Sequence, residues 1–204
     1  MKQERFRDKT GKDHDAVRHI IRRMVAFIDH MHKKGVLHAD LKPLNIMRMD
    51  GQWLAIDLDA VCEIGKDPVG SKSSSVYIPP EAIHVDTKKD IAAVKSEKHR
   101  ADNGLDYDLL IAHVSFDIWS LGVIMYQLLN TEVLPLFQAG QDDNLLSDKT
   151  RPDNLFVLAD WPDEVKDRKL SIIEDPVARN LLSLMLVKDP SKRYNLEQIS
   201  AHPF

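Results

Sequence analysis

Within eight residues, His38-Ala39-Asp40-Leu41-Lys42-Pro43-Leu44-Asn45, the chain places a carboxylate, an amine and a carboxamide. Asp40, with Lys42 two residues later and Asn45 five later, is what phosphoryl transfer asks of one rigid loop. The carboxylate can accept a hydroxyl proton, the ammonium can neutralise phosphate oxygens and the carboxamide can ligate a metal ion. Twelve residues beyond Asn45, Asp57 ends the apolar run Trp53-Leu54-Ala55-Ile56 and is followed by Leu58-Asp59. Taken singly, Asp40 also reads as a turn former next to Pro43, and Asp57 as a strand-end turn. Those readings explain one residue at a time and leave the grouping unexplained.

The surrounding pattern supplies elements to position these groups. Val17, Ile20, Ile21, Met24, Phe27, Ile28 and Met31 recur at three- and four-residue steps, which predicts an amphipathic helix from Asp13. Asp13 or Asp15 suits its start and Lys33-Lys34-Gly35 its end. His30 and His32, two apart, fall on different helix faces, so they read as partly buried or surface imidazoles rather than a zinc pair. Ile46-Met47-Arg48-Met49 and Trp53-Leu54-Ala55-Ile56 flank Asp50-Gly51, a hairpin signal. Such a hairpin returns Asp57 to face Asn45 across a metal ion.

From Asp59 to Ile78 the sequence is irregular and rich in Gly, Pro and Ser, which predicts a long loop. Residues 84–106 balance their charges and hold few large apolar groups, so they read as a solvated loop or short surface helix. Asp117 to Leu129 is apolar on nearly every face, the mark of a buried helix, with Asp117 at its favoured N-terminal end. After a polar stretch from Gln138 to Asp153 comes Leu155-Phe156-Val157-Leu158. Asp175-Pro176 then opens a helix burying Leu181, Leu182, Met185 and Leu186, and Asn195 to Ser200 gives a last short one.

Composition narrows the setting. The 204 residues suit one domain with a substantial core, preceded by a charged lead-in over residues 1–12. A net charge of -4 offers no basic field for nucleic acid or an anionic membrane. Cys62 is the only cysteine, so no internal disulfide forms, and the N-terminus has no apolar stretch to act as a signal peptide. Ile118 to Leu129 is too short to span a bilayer. A cytosolic or nuclear setting follows as the expectation.

Four motifs in order resemble the protein kinase family. His38 to Asn45 is similar to the catalytic-loop pattern H-R-D-x-x-x-x-N, with Ala39 in place of Arg. Asp57-Leu58-Asp59 resembles the Asp-Phe-Gly metal motif, Pro79-Pro80-Glu81 the Ala-Pro-Glu motif, and Asp117-Ile118-Trp119-Ser120-Leu121-Gly122 the Asp-x-Trp-Ser-x-Gly helix start. The resemblance implies a mainly helical C-terminal lobe of a protein-kinase-like α+β fold over residues 13–204. A small hairpin would lie at its cleft, and residues 84–106 would be a surface insertion.

The same resemblance implies roles. Asp40 would be the catalytic base, Lys42 the contact to the transferring phosphoryl group, and Asn45 and Asp57 the ligands of magnesium bound with ATP. Ser74 falls where a Thr commonly bonds the catalytic Asp and Lys, and Lys42 itself resembles the serine/threonine branch. Asp117 would hold the backbone of the loop that His38 begins, and Arg193 would pair with Glu81.

Three departures matter. Ala39 lacks the guanidinium that clamps a phosphorylated activation loop, so a phosphate switch at Ser71 or at Ser73 to Ser75 is not expected. Asp59 replaces a glycine, restricting the backbone and adding a carboxylate, while Leu58 keeps an apolar plug where Phe stands in the family. No two glycines are spaced as G-x-G and no Val-Ala-Ile-Lys strand is present, so the nucleotide-covering lobe is expected from elsewhere in the chain or from a partner. The resulting reading is a serine/threonine kinase acting on protein substrates, against the alternative of a pseudokinase or docking module. A metal-binding D-x-D at Asp57-Leu58-Asp59, as in sugar-nucleotide transferases, leaves the other three motifs unexplained.

Overall fold

The apolar spacing of the first segment is realised in helix α1, His14–Lys33, which buries Val17, Ile20, Ile21, Met24, Val25, Ile28 and Met31. Phe27 lies at the edge of that face, half-buried, with its ring edge-on to His38 at 6.4 Å between centroids. The helix stops where Gly35 adopts φ 80° and donates its N–H to His32 O at 2.9 Å. Only glycine takes that backbone region without cost from a side chain. Asp15 sits inside the first turn. The structure, a computed structural model, describes residues 14–70, 72, 74–130, 132–140, 143–145 and 154–204. The lead-in over residues 1–12, Asp13 as a cap, Ser71 and Ser73 lie outside the described residues.

From α1 the chain enters three two-stranded antiparallel sheets. Strand β1, Val36–Leu37, pairs with β4, Cys62–Glu63, and so brackets the loop from His38 to Asn45 and the hairpin that follows. That hairpin is β2, Ile46–Met49, against β3, Gln52–Ala55, in the register Ile46 to Ala55 and Met49 to Gln52. Asp50 at φ 49° and Gly51 at φ 77° form its two-residue turn, the left-handed pair whose twist matches that of the strands. Beyond β4 the described residues form turns, bends and one isolated bridge, Pro68 to Ile111, as far as the 3-10 turn Pro80–Ala82.

Residues 84–106 are more ordered than the sequence suggests. Strands β5, Ile83–Asp86, and β6, Ile91–Val94, form a hairpin, followed by the surface helix α2, Glu97–Asn103, which buries nothing. Ser96 caps α2 and Gly104 at φ 55° ends it. Ala93, Leu105 and Tyr107 build a small core of their own. Of the buried residues in that core only Ala93 lies on a strand, and Leu105 and Tyr107 come from beyond α2, so the strands themselves carry little local signal of it.

Helix α3, Ser115–Leu129, forms the centre, with every residue from Ser115 to Tyr126 buried. Around it lie α4, Asn154–Asp160, α5, Asp163–Leu170, α6, Pro176–Met185, and α7, Leu196–Ala201. Helix α5 buries only Leu170, so no apolar period announced it. Asp175 accepts the N–H groups of Val177 and Ala178 ahead of Pro176 to start α6, and Asn195 with Gln198 forms a reciprocal capping box on α7. Among the described residues, no helix is long and apolar enough to cross a membrane.

Candidate active site

The loop from His38 to Asn45 hangs from α3. Asp117, wholly buried, accepts the N–H of His38 on Oδ2 at 3.0 Å and that of Ala39 on Oδ1 at 3.0 Å. Ala39 is thereby held at φ 61°, a left-handed conformation that costs an alanine on the order of 1–2 kcal/mol. His38, also buried, accepts the Asp40 N–H on Nδ1 at 3.4 Å. Its Nε2 is therefore the protonated nitrogen and donates to Ile56 O at 3.3 Å. One imidazole thus couples the base-bearing turn to the end of the strand that precedes Asp57. The 3-10 turn Pro43–Asn45, with proline first, closes the loop.

Asp40 is 8% exposed and both of its oxygens are occupied. Ser74 Oγ donates to Oδ1 at 3.0 Å while accepting from Lys42 Nζ at 2.8 Å. Asn45 Nδ2 reaches Oδ2 at 3.2 Å and the Asp40 carbonyl at 2.9 Å. Lys42 Nζ lies 3.4 Å from Oδ2. The result is a carboxylate with a fixed rotamer beside a cation and a hydroxyl, assembled from two segments more than 30 residues apart. Such an arrangement can take a proton from a hydroxyl placed on its open side.

Asp57 is set differently. Its carboxylate is 41% exposed and its backbone is at φ 63°, while the neighbouring Ile56 N–H donates to Asn45 O at 2.8 Å. That bond brings the two expected metal ligands onto adjoining ends of the hairpin. The donor set fits a hard divalent cation. Asn45 commits Nδ2 to Asp40 and leaves its carbonyl oxygen free for a ligand, and Asp57 adds a carboxylate. Among the described residues no cluster of three His, Cys, Asp or Glu side chains could hold a metal alone. Magnesium accepts such a sparse site because water and phosphate oxygens complete its shell.

Lys72 Nζ lies 3.8 Å from Asp57 Oδ1 and 2.8 Å from Asp59 Oδ2. The hydrogen bond from Lys72 lowers the Asp59 carboxyl below its usual range, and the same bond raises Lys72. Asp59 therefore ties the metal loop to the segment that follows it. Leu58 corrects an expectation: it is 56% exposed and plugs no core among the described residues.

Glu81 and Arg193 meet away from the cleft. Arg193 Nη1 and Nη2 reach the two Glu81 oxygens at 2.8 and 3.0 Å, and Nη1 also donates to Ser115 O at 2.9 Å. The pair pins the start of α3 to the Pro79-Pro80-Glu81 segment. Among the described residues it shares no hydrogen bond with the Asp40 network.

Two residues joined the site without warning. His32 Nε2 sits 2.9 Å from Asp117 Oδ2, so it braces the residue that carries the loop. Its partner is 85 positions away, and nothing in the local pattern separates it from a surface imidazole such as His30. Asp143 Oδ2 lies 3.8 Å from Lys42 Nζ, delivered by a segment that reads only as polar.

The chain matches the protein kinase domain family over residues 2–204. It is 29% identical over 189 residues to the serine/threonine-protein kinase PKH3 of Eremothecium gossypii, covering 91% of this chain and 21% of that protein. It is 30% identical over 183 residues to the serine/threonine-protein kinase ksg1 of Schizosaccharomyces pombe, covering 89% and 27%. The chain thus spans less than a third of the length of these two relatives. Among solved structures it resembles the twitchin kinase region of C. elegans, with a TM-score of 0.64 and 22% identity over 98% of this chain and 31% of the other.

Proposed function

The chain belongs to the protein kinase domain family, of the serine/threonine type, and on that premise we propose that its full-length form transfers the terminal phosphoryl group of ATP to a serine or threonine hydroxyl of a protein. The observation that carries the proposal is the Ser74, Asp40, Lys42 and Asn45 network, in which every group has a use in that reaction. Asp40 takes the hydroxyl proton as the new oxygen–phosphorus bond forms and the bond to the leaving ADP oxygen breaks. Lys42, whose ammonium sits 3.4 Å from Asp40, turns from there to the phosphoryl oxygens and offsets their charge. Ser74 keeps Asp40 and Lys42 in register. Asn45 and Asp57 would hold magnesium, whose positive charge offsets that of the phosphates.

The glycine-rich loop and the lysine-bearing strand that cover a nucleotide are not among these 204 residues. The reading therefore takes them from outside this stretch, in the same polypeptide or in a partner, and expects the 204 residues alone to be weakly active or inactive. The low net charge and the lone cysteine go with a cytosolic or nuclear protein that binds neither nucleic acid nor membrane. Asp40→Asn in the full-length protein should abolish phosphate incorporation into protein substrates while leaving the thermal unfolding midpoint within a few degrees. Undiminished transfer by that variant would sink the assignment.

The Lys72 contact to Asp57 and Asp59 favours one second reading, a pseudokinase that serves as a docking module, because an internal ammonium then occupies the place of the metal's charge. Calorimetry separates the two. Magnesium-dependent ATP binding by the full-length protein supports the enzyme, and its absence supports the docking module.

A further inference from the structure

Residues 143–145 lie beside the Asp40 network. They are stitched to the residues that follow Ser74: the Val76 N–H donates to Asp143 O at 3.3 Å. The Ser75 N–H donates to Asn144 Oδ1 at 3.2 Å, and the Leu145 N–H donates to Ser75 Oγ at 2.8 Å. These bonds span about 70 residues of sequence and leave Asp143 at φ 59°, a region that aspartate tolerates better than most residues. Its carboxylate is 21% exposed and lies 3.8 Å from Lys42 Nζ. Lys42 Nζ is itself 3.4 Å from Asp40 Oδ2, so the two carboxylates are at most about 7 Å apart. The field of Asp143 also reaches Tyr77, whose phenol is raised chiefly by burial and further by that negative charge.

We propose that Asp143 is a specificity-determining residue whose carboxylate receives a lysine or arginine side chain of the protein substrate, beside the hydroxyl that Asp40 deprotonates. The Lys42 ammonium shows that a cation fits between the two carboxylates. When Lys42 turns to the phosphoryl group during transfer, Asp143 faces the cleft with less compensating charge. A substrate cation restores that balance. An extended substrate advances about 3.3 Å per residue, and a lysine or arginine stem spans a further two residues' length. The favoured basic residue therefore lies within about three positions of the acceptor. An acidic residue there would be disfavoured by the like charge.

The proposal rests on the phosphotransfer reading, and the test separates the two. Three fluorescein-labelled peptides of one sequence, with a single serine flanked by arginine, alanine or glutamate, are assayed with the full-length protein for phosphate incorporation and for binding by fluorescence anisotropy. The arginine peptide should exceed the alanine peptide by about fivefold in kcat/KM, the upper end of the range of a part-exposed ion pair. Asp143→Asn should reduce that ratio to about twofold, Asp143→Glu should keep most of it, and Asp143→Arg should favour the glutamate peptide. A merely structural role for Asp143 would lower all three peptides together without reversing their order. If no peptide is phosphorylated but anisotropy keeps the ranking and its Asp143 dependence, the subsite stands and the transfer reading falls. An unchanged arginine preference in Asp143→Asn, or no preference in the unmodified protein, overturns the subsite.

Discussion

Ala39 and Asp117 are joined by a 3.0 Å hydrogen bond from the Ala39 N–H to Oδ1, and that bond holds Ala39 at φ 61°. The second carboxylate oxygen accepts the His38 N–H at 3.0 Å and lies 2.9 Å from His32 Nε2. Ala39 is thus fixed from below through its backbone, by a carboxylate that α3 supplies.

Removing that support should be costly. Asp117→Ala strands two buried amide donors and an imidazole, each worth about 1–3 kcal/mol when unsatisfied. A loss of roughly 3–5 kcal/mol in urea unfolding is expected, with activity of the full-length protein falling further because Asp40 loses its fixed position. His32→Ala removes one contact and should cost about 1 kcal/mol. Equal stability of Asp117→Ala and the unmodified protein would contradict the anchoring role.

The Glu81–Arg193 pair should show strong coupling. The Arg193 side chain is 0% exposed and that of Glu81 18%, so Glu81→Ala leaves a buried guanidinium that only the carbonyls of Ser115, Val187 and Lys188 satisfy. Each single substitution, Glu81→Ala or Arg193→Met, is expected to cost about 3–5 kcal/mol, and the double variant less than their sum. A double-mutant cycle by chemical denaturation measures it, and additive costs would mean that the two charges do not stabilise each other.

Much of this was legible in the sequence, and the reasons differ by element. Helix α1, the β2–β3 hairpin and the caps at Asp175 and Asn195 carry local signals: periodicity, Asp-Gly, and cap residues followed by proline or glutamine. The fully apolar run of α3 announced its own burial. The grouping of Asp40, Lys42 and Asn45 came with motif spacing, and the structure brings Ser74 to the network of the same three side chains. What stayed hidden was non-local. His32 reads as a partly buried or surface imidazole with no partner named until Asp117 arrives from 85 residues away, Asp143 as one polar loop residue among many, and β5–β6 as solvated chain because the small core beside it draws Leu105 and Tyr107 from beyond α2. Leu58 looked like a plug because residue type alone does not fix burial, and among the described residues it is exposed.

Gly122 should resist a change that usually stabilises helices. Replacing an interior helical glycine by alanine normally gains about 1 kcal/mol. Here a Cβ would stand 2.9 Å from Leu186 Cδ2, 3.2 Å from its Cγ and 3.3 Å from Met185 Cβ. Leu186 is fully buried and has no room to withdraw. Gly122→Ala is therefore expected to destabilise by roughly 1–3 kcal/mol. In a Leu186→Ala background the same change should become neutral or favourable, so thermal melts of the four proteins read the sign directly.

Cys62 links the core to alkaline pH. The thiol is buried and its pKa is raised from 9.0 to about 11, first by burial and then by the charges of Asp117 and Asp67. At pH 8 its thiolate fraction should be about 100-fold below that of an ordinary thiol, so Ellman's reagent should label the folded protein slowly. The same shift carries a stability consequence. Below pH 9 both folded and unfolded chains hold the proton and nothing changes. Between 9 and about 11 only the folded chain holds it, so stability falls as pH rises, by at most about 1.4 kcal/mol per unit. Tyr77, also raised by burial, adds in the same direction above pH 10. Cys62→Ala should flatten the first part of that decline relative to the unmodified protein. Parallel urea midpoints from pH 8 to 10.5 for the two proteins would show that the thiol is not held neutral by its surroundings.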